Sequence, residues 1–90
     1  MTSKTQGGDL VDEKYKWYLY DLGPILKDRA FEHKAERDAA PDGSDERSFL
    51  SGLVLGFNEV ISILQQQADG FEISRKDLRL EDIDPDSDLV

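Results

Sequence analysis

Pro41-Asp42-Gly43-Ser44 decides the architecture of this 90-residue chain. Proline presets its own φ, aspartate bonds to nearby backbone and glycine accepts positive φ, so these residues make a turn. Ser44 suits a helix N-cap, with Asp45 and Glu46 at the positive end of the helix it opens. On both sides of the turn, apolar residues recur at the helical period. A turn between two such segments predicts an all-α fold, an antiparallel two-helix hairpin.

Downstream, Phe49, Leu50, Leu53, Val54, Phe57, Val60, Ile61, Leu64 and Ala68 fall on one side of a helical wheel. They predict a helix over about 45–69, stopped by Gly70. The apolar arc covers about half the circumference, against roughly 100° for an ordinary core stripe. Ser51, Asn58, Ser62, Gln65 and Gln66 make the expected wet side. Upstream, Val11, Tyr15, Tyr18, Leu19, Leu22, Ile25, Leu26, Ala30 and His33 form the opposing stripe, with Asp12 and Glu13 at the expected first turn. Gly23-Pro24 interrupts it, because proline removes the bond to the Tyr20 carbonyl. The apolar phase does not slip there, which predicts one helix kinked at Gly23-Pro24 rather than two.

Three regions follow: a disordered N-terminal tail at 1–9, a helical hairpin domain at 10–80 and a mobile acidic C-terminal tail at 81–90. After Gly70, Phe71 and Ile73 are expected to fold back over the open end of the hairpin. Ser74-Arg75-Lys76-Asp77 has the form of a capping box and predicts a short third helix through Leu80.

The net charge is −9, and five of the twenty acids (Glu81, Asp82, Asp84, Asp86, Asp88) lie in the last ten residues. This balance opposes direct nucleic acid binding, which needs clustered cations. With no cysteine, disulfides, thiolate metal sites and thiol chemistry are excluded, and a cytoplasmic setting is expected. The first eight residues lack the apolar core of a secretory signal. The run from Phe49 to Leu64 contains Ser51, Asn58, Glu59 and Ser62, short of the roughly 20 apolar residues of a membrane span.

Two helices cannot hide half the circumference of one of them. Domains this small bury only about 60% of the surface their unfolded chain exposes, and oligomerisation is a common remedy. A homodimer of four-helix-bundle type is therefore expected. Gly52 and Gly56, with Ser48 one turn earlier, make a small-residue ridge. Glycine inside a helix costs about 1 kcal/mol relative to alanine, so close approach would explain their use. The approaching group would be another helix, or Trp17 or Phe31 within the hairpin. Trp17, Tyr20 and Phe31 lie opposite the core stripe, either as a partner surface or covered by the C-terminal segment through Phe71 and Ile73. The candidate interface is Gly52, Leu53, Gly56, Phe57, Val60, Leu64, Trp17 and Tyr20.

Catalytic chemistry is not nominated. His33 is the only histidine, with Glu36 one turn on, but Glu46 and Glu59 on the second helix have no histidine partner. Helical dinucleotide hydrolases repeat a paired-acid motif on two helices, and no such repeat occurs. Asp82, Asp84, Asp86 and Asp88 alternate as in a calcium loop, but Ser87 stands where that loop needs glycine. No metal or cofactor is expected. Glu59 could pair with Arg29, Arg37 or Arg47 and fix the register of an interface. The expected function is a small acidic, non-enzymatic interaction or regulatory module of bacterial or phage type, acting as a homodimer on an unidentified protein partner. The alternatives are an acidic inhibitor or nucleic-acid mimic occupying a cationic groove, and a metal-dependent hydrolase-like bundle.

Overall fold

The computed structural model describes the backbone of residues 2–90 and the side chains of residues 13–90. It is all-helical: α1 (Thr2–Ala39) and α2 (Asp45–Gly70) form the long arms of a hairpin. A 3-10 turn (Arg75–Leu78) and a one-turn helix, α3 (Pro85–Asp88), follow. No strand occurs among the described residues. The result is a rod with extents of 63 × 19 × 16 Å.

The turn forms as its residues dictate. Gly43 takes a φ of 75°. The Ser44 hydroxyl donates to the Pro41 carbonyl at 2.7 Å and accepts the Arg47 N–H at 3.1 Å. Arg47 Nη1 reaches back to the carbonyls of Arg37 (3.1 Å) and Ala40 (3.0 Å) at the C-terminal end of α1, where carbonyls run short of intrahelical donors. The two arms are thus tied at the turn by one guanidinium.

α1 passes through Pro24 as a single helix. Its neighbour Gly23 is buried, and a methyl group added there would overlap the Leu78 carbonyl oxygen. The Gly23-Pro24 step is therefore the notch into which the C-terminal segment settles, a role that only the absent side chain permits.

That segment is the main correction to the sequence. Residues 81–90 are not a mobile tail: Ile83, Pro85 and Leu89 are buried. Half of the core cluster comes from residues 78–89, with Leu78, Leu80, Ile83 and Leu89 facing Ala30, Val54, Ile61 and Ala68 of the arms. The acidic residues mislead because apolar ones stand among them: Glu81, Asp82, Asp84 and Asp86 are exposed while Ile83, Pro85 and Leu89 are buried. Asp84 accepts the Asp86 N–H at 3.2 Å and opens α3, with Pro85 at its first position.

Smaller differences have equally local causes. α1 is helical back to Thr2, where a disordered tail at 1–9 was expected; once nucleated, a helix gains one bond for each residue it fixes. Met1, and the side chains of Val11 and Asp12, lie outside the described residues. α2 ends one residue later than expected, and not by a left-handed glycine. Glu72 takes that conformation (φ 58°), with Glu72 N–H on Asp69 O (3.1 Å) and Ile73 N–H on Ala68 O (2.7 Å). This is a Schellman end with glutamate in the position glycine usually holds. The third helix expected through Leu80 is a 3-10 turn ending at Leu78, capped by Ser74 and followed by Arg79 at φ 56°.

Candidate interaction surface

The hairpin has two long faces, and the C-terminal strap covers one of them. Heptad-spaced polar side chains hold it there. On α2, Gln65 Nε2 donates to the carbonyls of Leu80 (3.0 Å) and Ile83 (2.8 Å). One heptad earlier, Asn58 Nδ2 donates to Pro85 O (2.7 Å) and Leu89 O (3.1 Å). On α1, Lys27 Nζ donates to Arg79 O (3.2 Å) and to Asp82 Oδ1 (2.7 Å), and Lys34 Nζ donates to Asp88 O (2.6 Å). Seven residues is almost two helical turns, so each pair stands in one column and meets successive carbonyls of the strap. Asn58 and Gln65, placed on the wet side by the sequence, are core anchors; Gln65 is 4% exposed. No buried side-chain polar atom among the described residues lacks a partner.

Two ion pairs fasten the start and the middle of this segment. The Lys27 ammonium holds the Asp82 carboxyl below its ordinary range, chiefly through their hydrogen bond. Arg75 does the same to Asp69 across 2.7 Å, joining the 3-10 turn to the end of α2.

The other face is open. Gly52, Leu53, Gly56, Phe57 and Val60 of α2 line a shallow groove of about 400 Å³ with Leu26 of α1. Around it Phe49 and Ile63 are 68% and 50% exposed, and Tyr18 and Ile25 of α1 are also exposed. Nothing lies within 4 Å of a methyl group placed on Gly52 or Gly56. Trp17 and Phe31 therefore do not explain these glycines; within the chain, the glycine that takes a close approach is Gly23. Phe57 is half-buried, against the core and the His33 ring at 5.5 Å.

The remaining expected residues lie elsewhere. Leu64 packs against the core and lines a cleft with Leu19, Ala68, Phe71 and Ile73 at the open end of the hairpin. Trp17 and Tyr20 form a T-shaped pair, centroids 5.4 Å apart, on the strap side of α1. Arg79 of the strap stacks 5.0 Å over Tyr20. The covering group is thus Arg79, not Phe71 or Ile73, and Trp17 keeps 54% of its surface in solvent. His33 Nδ1 hydrogen-bonds Glu36 at 3.1 Å, with no third metal-ligating side chain beside them among the described residues. Glu59 is exposed and makes no ion pair there; Arg37 pairs with Asp38, and Arg47 with Asp42.

α2 is long and apolar enough, by length and composition, to cross a bilayer. In this fold its mid-helix amides are committed to the strap. No protein-family model matches the chain, nor does any curated protein or solved structure.

Proposed function

We propose that this chain is a small acidic, non-enzymatic interaction module that works as a homodimer of four-helix-bundle type, with the open face of the hairpin at its centre. The observation that carries this is one-sided coverage. The strap seals one face with core-forming side chains and satisfied carbonyls, while Phe49, Val60 and Ile63 stay 68%, 45% and 50% exposed on the other. A second copy brings the same apolar face, and a two-fold axis lets one patch cover itself. Trp17, flanked by Lys16 and Tyr20 on the strap side, is left for a different protein. A cytoplasmic setting without membrane or direct nucleic acid contact completes the proposal. Sedimentation equilibrium tests it: a dimer at micromolar concentration is expected, and a single subunit at high micromolar concentration would overturn it.

A second function is favoured by one observation. Glu81, Asp82, Asp84 and Asp86 are exposed on a folded strap rather than on a loose tail, so their spacing is fixed. Fixed carboxylates are what an acidic inhibitor or nucleic-acid mimic presents to a cationic groove. Its partner would be released as salt rises and on Glu81→Gln with Asp86→Asn. Binding indifferent to both would exclude it.

A further inference from the structure

Extending the self-association proposed above, we infer that the seam is α2 against α2, antiparallel, with the two-fold axis passing at Gly56. Phe49, Gly52, Gly56, Val60, Ile63 and Gln67 form one outward stripe on α2, and every one is exposed. With Asp45 one turn before Phe49, the steps along the stripe are four, three, four, four, three and four residues. This spacing reads the same in both directions about Gly56. An antiparallel copy turned about that point lays the stripe on itself: Phe49 meets Ile63, Val60 meets Gly52, and Gly56 meets Gly56.

The sizes and charges fit this register. A large side chain faces the notch of a glycine, and the two Gly56 residues let the backbones approach. The chain's own fold gives neither glycine a neighbour, so both notches are empty until a second helix arrives. The stripe carries no charge between Asp45 and Gln67, and at each end the carboxylate meets a carboxamide. A chain of charge −9 can therefore pair with itself without opposing like charges along the seam. The outer face of α1 carries Arg29 and Glu36 among its apolar residues, which places the seam on α2.

The chain has no cysteine, so introduced thiols report the register directly. Gly56→Cys should cross-link to itself under mild oxidation, since a disulfide requires Cα atoms within about 7 Å. Phe49→Cys mixed with Ile63→Cys should cross-link as a heterologous pair, and each alone should not. Leu55→Cys, exposed on another side of α2, is the control and should stay monomeric on a denaturing gel. Gly56→Leu should weaken association by about ten-fold or more, about 1.4 kcal/mol, with helix content by circular dichroism unchanged. A dimer by sedimentation in which Gly56→Cys cross-links no faster than Leu55→Cys overturns this register and leaves self-association standing. A monomer at high micromolar concentration overturns both.

Discussion

Gln65 shows what a single residue does in this molecule. It is an amide inside an apolar core, and both of its N–H bonds go to carbonyls of the strap. Gln65→Leu keeps the volume but strands the Leu80 and Ile83 carbonyls, at a cost of about 2–3 kcal/mol. A urea titration should show the lowered midpoint; an unchanged midpoint would mean the carbonyls find water. Glu72 is the opposite case, an ordinary side chain held at φ 58°. Glu72→Gly should stabilise by about 1 kcal/mol, readable as a raised melting temperature. Neither role was legible in the sequence. Gln65 reads as wet because Asn58 and Ser62 stand beside it on the wheel, and a wheel does not show what lies above a column. Gly70 reads as the stop because glycine usually is; the left-handed turn falls two residues later.

Among the elements, the strap separates this fold from a bare hairpin. Deleting residues 81–90 removes Ile83 and Leu89 from the core, where truncating one such side chain costs about 2–5 kcal/mol. A domain this size has about 5–15 kcal/mol in total, so the truncated chain should lose its cooperative thermal transition. Retention of that transition would show that the hairpin stands alone. Acid should loosen the strap as well. The Asp82 and Asp69 carboxyls lie below their ordinary value of 3.8 in the folded chain, so their pairs contribute stability above that value. This contribution is lost as pH falls through the lowered values, and amide protection in residues 75–90, taken relative to the intrinsic exchange rate at each pH, should fall there first. The helical arms and the turn between them were legible because period, proline, glycine and caps are local signals. The strap was not, because its alternating acids look like a solvated tail until something apolar lies beneath them.

At the scale of the whole molecule, the rod has a sealed side and a bare one, and each candidate residue acts according to its side. Trp17 stands on the strap side, so Trp17→Ala should leave the sedimentation behaviour of the wild-type chain unaltered. A shift toward monomer would move the interface onto α1. Glu81→Gln with Asp86→Asn should change stability by no more than about 0.5 kcal/mol, because both side chains are exposed and unbonded, and a chemical denaturation curve checks this. The sequence by itself determined the helical class, the hairpin, the turn and the surplus of apolar surface on α2, since each follows from residue spacing along one chain segment. Only the tertiary structure decided which part of that surplus is covered. Contacts between residues 23 and 78, or 65 and 83, depend on how distant segments meet in space, and no period within either segment encodes that meeting.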